Sequence, residues 1–308
     1  MPSISGRLLM AGLRVIFHTP LNDTSKLSDK AAKLTKGNKS AFKAPKGYVF
    51  TRHKCGESYY EKLLPENTRS KKVIFLIHGG SFKIPLIDRY RRLAVKYSSL
   101  FGGATVISVD YRTWPSAQLP SQMHDTAAVY CELLSQGVNP ENVSFIGDSA
   151  GATIALTSAL WLRDNNYPLP GHIVCFSLWG DATSSGDSKI KNAYTDPFYG
   201  LRKSEKIEDN IHVLRRISKY VQNVDREDPY ISPCFGEYEG FKKVTLLCGT
   251  AELDESDSDR VYEKMVTAGV DAKLYKYEGM CHCFQMFAFL PESRDATDKM
   301  IKRDKGEL

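Results

Sequence analysis

The sequence lacks an apolar run long enough to cross a membrane. Its apolar N-terminal stretch, Leu8 to Phe17, is short and contains a charged residue, Arg14, whereas a membrane-spanning helix needs about 20 predominantly apolar residues. The stretch is predicted to form an amphipathic helix, and such a helix more often covers a core or a pocket than a membrane. We therefore expect no stable membrane span.

The cysteines show no disulfide pattern. The chain has seven, an odd number, and Cys131, Cys175 and Cys248 lie in apolar segments. A secreted disulfide framework uses an even number of cysteines at regular spacings. The pattern therefore predicts free thiols in a reducing compartment, and we expect a cytoplasmic protein.

A surface suited to nucleic acid is also missing. The formal net charge is a modest +6, and the lysine-rich stretch from Lys26 to Lys46 is almost free of aromatic residues. Nucleic-acid surfaces combine clustered positive charge with aromatic side chains that stack on bases. The lysines are therefore predicted to form a solvated face, and no nucleic-acid partner is expected.

No internal repeat or low-complexity linker divides the 308 residues, which favours a single domain over residues 1–308. From about residue 48 onward, apolar runs suited to buried strands alternate with stretches of helical periodicity, which predicts an α/β fold. The predicted strands are 48–53, 58–63, 73–77, 104–109, 143–146, 172–178, 244–248 and 272–277, and the predicted helices are 88–100, 123–134, 152–160, 258–268 and 287–302. Residues 182–222 interrupt the alternation, and we predict that they form a cap together with residues 1–45.

One turn has the pattern of a nucleophile elbow. Gly147-Asp148-Ser149-Ala150-Gly151 follows a predicted strand and precedes a helix of small residues. Such a sharp turn exposes the central serine, and a glycine two positions away on either side avoids collisions with the backbone. Ser149 is therefore a candidate covalent catalyst. A serine that only caps a helix has the same local sequence, so the hypothesis needs a base, a carboxylate and an oxyanion hole elsewhere.

The candidate base is His282, in the loop after the last predicted strand. A serine hydroxyl is a poor nucleophile at neutral pH and needs an adjacent base, usually a histidine, to accept its proton. The carboxyl ends of parallel strands share one edge of a sheet, so His282 and Ser149 are expected to meet there. The neighbouring Cys281 and Cys283 suggest a metal site instead, but three consecutive residues do not readily converge on one ion. No metal is expected.

The imidazole needs a carboxylate that fixes its tautomer, and the loop after strand 244–248 offers several. Glu252, Asp254 and Asp257 are candidates. Most acidic side chains in loops are solvated, and we expect this of Glu252 and Asp257. Position in the loop favours Asp254.

An oxyanion hole is predicted in His78-Gly79-Gly80-Ser81-Phe82, directly after strand 73–77. Glycines in such a loop allow backbone amides to point to where negative charge develops. The predicted donors are the amides of Gly80, Ser81 and Ala150, and Gly79 is predicted to shape the loop.

With these motifs the chain resembles the hormone-sensitive-lipase-like family of α/β-hydrolase esterases over about residues 70–285. Further matches are Asp110-Tyr111-Arg112 with Pro115, Pro120 and Asp125, the segment Asp228 to Pro233, and Ala251-Glu252-Leu253-Asp254. The resemblance implies an α/β-hydrolase fold: a mostly parallel, eight-stranded sheet with helices on both faces and a helical cap. It also implies Asp254 as the triad acid, short-chain acyl esters as substrates and no cofactor. Ser81 stands where the family has a third glycine, so a side chain is expected beside the oxyanion hole.

The sequence thus predicts a carboxylic-ester hydrolase with the triad Ser149, His282 and Asp254. The aromatic residues predicted to line its substrate pocket are Phe82, Trp114, Trp179 and Phe284. Two alternatives stay open, an amidase or peptidase with the same triad and a non-catalytic small-molecule-binding protein on this fold. The expected partner is a small-molecule ester, and a homodimer is left open.

Overall fold

A computed structural model describes residues 1–17, 42–215 and 218–308. These residues form eight β-strands and eight α-helices. The predicted cap includes residues 18–41, and that part of the prediction lies outside the described residues. The strands are β1 Tyr48–Cys55, β2 Ser58–Pro65, β3 Val73–Ile77, β4 Thr105–Asp110, β5 Val143–Asp148, β6 His172–Phe176, β7 Lys243–Gly249 and β8 Asp271–Tyr277. The helices are α1 Ile4–Phe17, α2 Asp88–Leu100, α3 Ser121–Ser135, α4 Ala150–Asp164, α5 Ser188–Lys191, α6 Ile207–Leu214, α7 Glu255–Thr267 and α8 Pro291–Lys305.

The strands form one sheet in the order β1-β2-β4-β3-β5-β6-β7-β8. The pairs β1–β2 and β2–β4 are antiparallel, and all the pairs from β4 to β8 are parallel. Every residue of β3, β5 and β6 is buried, as expected of parallel strands that are covered on both faces. The carboxyl ends of β5, β7 and β8 therefore lie at one edge of the sheet.

Two apolar layers cover the two faces of the sheet. One layer contains residues of α3, α4 and α7, and its largest buried side chains include Phe75, Tyr130 and Phe145. The other contains residues of α1, α2 and α8. The predicted α/β fold with helices on both faces is confirmed.

Several predicted boundaries shift by a few residues for local reasons. Helix α4 begins at Ala150 rather than at residue 152, because the elbow turns directly into the helix. Strand β6 ends at Phe176, since Ser177 has a φ of 48° that no strand residue adopts. Helix α8 begins at Pro291 rather than at residue 287, because a proline without an N–H fits the first helical turn. Residues 284–286 instead form a short 3-10 helix.

Helix α1 packs against α8, and its Met10 and Leu13 are buried in the layer that also contains α2 and α8. Across the ranges described above, no helix is both long and apolar enough to span a bilayer.

Candidate active site

Ser149 stands at a tight turn between β5 and α4. Its backbone has φ 53° and ψ −122°, a strained conformation for a residue with a side chain. The turn leaves no room for side chains on its flanks: a Cβ on Gly147 would lie 2.7 Å from the nitrogen of Ala152, and one on Gly151 would lie 2.7 Å from the carbonyl oxygen of His78. The sequence Gly-x-Ser-x-Gly thus folds as an elbow because only glycine fits at its two ends.

His282 lies beside the serine. Its Nε2 is 2.9 Å from the Ser149 Oγ, within hydrogen-bond reach of the proton that a base must accept. The next residue, Cys283, has a left-handed backbone and donates its N–H to the Ser177 hydroxyl at 2.8 Å. The ring of Tyr199 packs edge-on against the imidazole, 5.5 Å between centroids. These contacts hold the imidazole at the elbow.

The carboxylate on the far side of the imidazole is Glu252. The His282 Nδ1 lies 2.9 Å from the Glu252 Oε2, against 3.8 Å from the Asp254 Oδ2. The other oxygen of Glu252 accepts the Ser177 hydroxyl at 2.9 Å and the Gly249 amide at 2.5 Å. The structure therefore differs from the sequence-based choice of Asp254, because the hydrogen bond to Nδ1 belongs to Glu252.

Asp254 has a different partner. Its carboxylate pairs with the ammonium group of Lys189, a lysine that is itself buried. The expectation that Glu252 and Asp257 are solvated is wrong, since both are fully buried. Asp257 accepts the Gly180 amide at 2.9 Å, and burial raises its pKa to about 7.

The sequence signal that would have favoured Glu252 is its distance from the strand. Glu252 stands three residues after Gly249, the last residue of β7, whereas Asp254 stands at the start of α7. A longer side chain close to the end of the strand reaches back to the sheet edge, where His282 lies.

A segment of the predicted cap holds the loop that carries Glu252. We call residues 251–256 the acid loop and residues 188–196 the clamp segment. Four side chains of the clamp segment form hydrogen bonds with the backbone of the acid loop. Three of them donate to carbonyl oxygens: Ser188 Oγ to Leu253 (2.6 Å), Asn192 Nδ2 to Glu252 (2.7 Å) and Thr195 Oγ1 to Ala251 (3.4 Å). The fourth, Asp196, accepts the Leu253 amide at its Oδ2 (2.8 Å).

Asp196 also links the clamp segment to His282. Its carboxylate is fully buried and also accepts the amides of Phe198 and Tyr199, at 2.8 and 3.1 Å. Tyr199 is the residue whose ring packs on His282. Burial raises the pKa of Asp196 to about 6, although the backbone amides that it accepts stabilise its charged form. Neither Asp196 nor Lys189 was singled out by a sequence motif.

The amides predicted for the oxyanion hole fall into two groups. The Gly79 amide points inward and donates to the Tyr90 hydroxyl at 2.9 Å, while that hydroxyl donates to the Asp148 carboxylate at 2.9 Å. The Gly79 amide is therefore already engaged by the Tyr90 hydroxyl and does not point to the serine. No hydrogen bond among the residues described uses the amides of Gly80, Ser81 or Ala150.

The loop after β3 has an unusual backbone where it reaches the elbow. Gly80 has a φ of 120°, and Ser81 and Phe82 have φ of 53° and 59°. Left-handed conformations cost energy in residues with a side chain and are concentrated at functional sites. Ser81, the departure from the third glycine of the family, tolerates such a conformation here, and its side chain lines the cavity beside Ser149.

Burial and charge act in opposite directions on the titration of His282. Burial lowers the pKa of the imidazole, and the interactions with Cys283 and Glu252 outweigh it, so the pKa lies well above its usual value of 6.5. Burial also raises the pKa of the Cys283 thiol. The Glu252 carboxylate, 2.9 Å from Nδ1, is placed to stabilise the positive charge of a protonated imidazole.

A cavity of about 70 Å³ opens onto Ser149 and His282. Two of the four predicted aromatic residues, Phe82 and Trp179, line it. The remaining lining residues include members of the predicted cap and of the acid loop: Ser184, Lys189, Tyr199, Val213, Leu214, Ser218, Tyr220, Leu253 and Asp254.

The other two predicted pocket residues, Trp114 and Phe284, do not line this cavity. Phe284 is fully buried in the layer with α8 and packs on Tyr277, with 4.8 Å between ring centroids. The backbone of Trp114 instead holds the loop after β3, since its amide donates to the Phe82 carbonyl at 2.8 Å. Nothing in the local sequence distinguishes an aromatic residue that lines a pocket from one that is buried in the core.

No group of three or more His, Cys, Asp or Glu side chains suited to a metal ion occurs in the described part of the chain. Cys281 is buried in the same layer as Phe284, whereas the Cys283 Sγ lies 3.7 Å from the Asp148 carboxylate. The two thiols beside His282 thus have different surroundings.

Comparison with known proteins identifies the family. The model of a family described by its alpha/beta hydrolase fold matches residues 74–286. An acetyl-hydrolase of Streptomyces hygroscopicus is 30% identical over 259 residues, which are 82% of this chain and 81% of that protein. An esterase of Acinetobacter venetianus is 31% identical over 227 residues, 73% of this chain and 72% of its own. The chain therefore belongs to the α/β-hydrolase fold family.

Solved structures agree with this assignment. The crystal structure of EstE5 soaked with ethyl alcohol has a TM-score of 0.81 and 25% identity, and the match covers 99% of this chain and 98% of that one. An esterase from the bacterial hormone-sensitive lipase family has a TM-score of 0.77 at 24% identity, over 99% and 97% of the two chains. The α/β-hydrolase fold predicted from the motifs is confirmed.

Proposed function

We propose that the protein is a carboxylic-ester hydrolase that works through a serine acyl-enzyme. The observation that carries the proposal is the pair of contacts on one imidazole, 2.9 Å to Ser149 on one side and 2.9 Å to Glu252 on the other. Nucleophile, base and orienting carboxylate in this geometry are the requirements of acyl transfer through serine. The names of the acetyl-hydrolase and esterase relatives support the same reaction.

In the first half of the reaction, the Ser149 oxygen attacks the ester carbonyl while His282 Nε2 takes the hydroxyl proton. The carbonyl oxygen becomes an oxyanion, which the amides of Gly80, Ser81 and Ala150 are free to bind. Glu252 keeps the remaining ring proton on Nδ1 and stabilises the positive charge of the imidazolium. The C–O bond to the alcohol then breaks, and His282 returns its proton to the departing alcohol.

In the second half, water repeats the same steps on the acyl-enzyme. His282 takes a proton from the water, whose oxygen attacks the acyl carbonyl. The tetrahedral intermediate expels the Ser149 oxygen, and His282 gives this oxygen its proton. The products are the carboxylic acid and the free enzyme, and no cofactor takes part.

The substrates we propose are esters with a short acyl chain. The cavity of about 70 Å³ is less than half of the roughly 150 Å³ that holds a benzene molecule in a protein core. Phe82, Trp179 and Tyr220 pack on one another along it, with ring centroids 5.2 to 5.9 Å apart. This aromatic cluster limits the acyl chain to a few carbons.

We also propose that residues 182–222 act as a cap, with α1 beside them. The support is that the segment supplies several of the residues that line the cavity. A cytoplasmic location is proposed from the cysteines, since all seven have free thiols.

A chain-length series of p-nitrophenyl esters tests the function and the acyl preference together. Acetate and butyrate are expected to be turned over, with a steep loss for longer acyl chains. A fluorophosphonate probe should label the wild type on Ser149, and Ser149→Ala should remove both label and turnover. Ser135→Ala, at an exposed position on α3, serves as the matched control. Absence of both turnover and label in the wild type would refute the proposal, and an anilide hydrolysed faster than its ester would favour an amidase.

A further inference from the structure

Helix α1 has two apolar faces, and only one of them is covered. Met10 and Leu13 are buried against the body of the protein. Ile4, Leu8 and Val15 point the other way, with 70%, 70% and 84% of their surface exposed. These three share one side of the helix, because residues four and eleven positions apart nearly align on an α-helix. We call Ile4, Leu8 and Val15 the outer face.

Exposed large apolar side chains are concentrated at the N-terminus, around the outer face. Among the described residues, 14 large apolar side chains are exposed, and five of them fall within the first 16 residues: Met1, Ile4, Leu8, Val15 and Ile16. Single exposed apolar residues are normal on a soluble protein, but a contiguous apolar patch marks an interaction site.

The helix is fixed in place and lies beside the catalytic machinery. The Ser3 amide donates to Glu292 at 2.6 Å at one end, and the Arg14 guanidinium donates to the Thr195 carbonyl at 3.1 Å at the other. Thr195 belongs to the clamp segment. A Cβ on Gly6 would lie 2.8 Å from the terminal carbon of Met280, two residues before His282. A ligand on the outer face would therefore hold the protein close to the cap.

The charge of the chain is concentrated in the same part of the sequence. Residues 1–46 contain nine lysine or arginine residues and two aspartates, so they carry more than the whole net charge of +6. The remaining 262 residues have a net charge of −1. Arg7 is exposed on α1 itself. A basic stretch that follows an apolar helix in the sequence is attracted to anionic lipid, whose headgroups complement the charge while the apolar side chains of the helix enter the interface.

A second copy of the chain fits this face less well. Fourteen residues make a helix about 21 Å long, so two such faces would bury only a few hundred Å², roughly, against the ~1,200 Å² that a stable interface needs. Pairing would also bring two basic N-terminal regions together. We propose that the outer face of α1 docks the protein on an anionic phospholipid surface.

Vesicle co-sedimentation tests the proposal with the full chain. Vesicles of phosphatidylcholine alone are compared with vesicles that contain about one third phosphatidylglycerol. Binding is expected to the anionic vesicles, with at least a tenfold loss in about 0.5 M NaCl, where charges are screened within a few ångströms. The double variant Leu8→Ser with Val15→Ser should bind at least tenfold less than the wild type.

The control is a double variant that removes two exposed apolar side chains of the same types from other helices, Leu100→Ser with Val266→Ser. It should bind like the wild type, and both double variants should keep the wild-type melting temperature. Equal binding by the two double variants, or none by the wild type, would overturn the proposal. A dimer in light scattering that only the α1 variant abolishes would assign the face to a second copy instead. The assay needs no turnover, so its failure leaves the proposed hydrolase function untouched.

Discussion

Replacing Glu252 with glutamine tests whether Glu252, rather than a neighbouring acidic residue, is the carboxylate of the proposed triad. The two carboxylate oxygens of Glu252 have different tasks. One accepts two hydrogen bonds, from the Ser177 hydroxyl and the Gly249 amide, and the other accepts one, from His282 Nδ1. In the glutamine variant the amide oxygen is expected to stay with the two donors, so the NH₂ group faces Nδ1.

That orientation reverses the tautomer of His282. An NH₂ group next to Nδ1 needs an acceptor there, which leaves the ring proton on Nε2, the nitrogen that must take the proton from Ser149. A change from carboxylate to amide at this place in a serine triad lowers kcat by about 10⁴-fold. We expect a loss of 10³- to 10⁴-fold, roughly 4 to 5.5 kcal/mol of transition-state stabilisation, with little change in KM.

The assay is steady-state turnover of p-nitrophenyl acetate, with Asp254→Asn as the matched variant. The Asp254 carboxylate is 3.8 Å from Nδ1 and paired with Lys189, so Asp254→Asn should lose less than about tenfold in kcat but should melt at a lower temperature, because it leaves a buried lysine unpaired. If Asp254→Asn loses activity by 10³-fold while Glu252→Gln stays near wild type, Asp254 is the triad acid and the assignment to Glu252 fails.

Three further predictions concern the surroundings of the triad and the far end of the sheet. The interactions with Cys283 and Glu252 raise the pKa of His282 above its usual value of 6.5, and only the neutral imidazole accepts a proton. Activity should therefore be lost on the acidic side with an apparent pKa above 6.5. A pH profile of kcat/KM measures this limb, and a limb below 6.5 would contradict it. Asp196→Asn should lower kcat about 10- to 100-fold and move the same limb, whereas the exposed Asp187→Asn of the same region should do neither. If both leave the pH profile unchanged, the clamp segment does not position His282. Asp304 lies 3.2 Å from His172 Nδ1 and accepts hydrogen bonds from Lys72 and Ser144, both at 2.5 Å. Its pKa is lowered to about 2, since His172, Lys72 and Ser144 together outweigh burial. Asp304→Asn should therefore cost about 3 kcal/mol of unfolding free energy at pH 7, and the difference should shrink as the pH falls from about 4 toward 2. Denaturant titrations at several pH values test this, and a constant difference would contradict it.

The features that the sequence predicted correctly depend on contacts between residues close along the chain or on the topology of the sheet. The elbow is local, because Gly147 and Gly151 are required by contacts within a few residues and with the adjacent strand. The position of His282 follows from topology, since the carboxyl ends of parallel strands share an edge. Strand and helix positions were predicted to within a few residues because buried strands are continuously apolar.

What the sequence did not predict depends on contacts between distant segments. The choice of Glu252 over Asp254 is made by Ser177 and Lys189, which lie 75 and 65 residues away along the chain. Phe82 and Phe284 are both apolar, both adjacent to the predicted motifs and both buried, yet only Phe82 also lines the cavity. No local pattern carries that information.

The same insertion both shapes the proposed substrate cavity and, through the clamp segment, holds the loop of Glu252. Residues 188–196 belong to the insertion whose other residues shape the cavity, and they also hold the loop of Glu252. Grafting the insertion of a relative onto this sheet would therefore exchange the supports of the acid loop along with the walls of the pocket. A chimera that keeps residues 188–196 and exchanges only residues 197–222 would change specificity while the hydrogen bonds of the clamp remain.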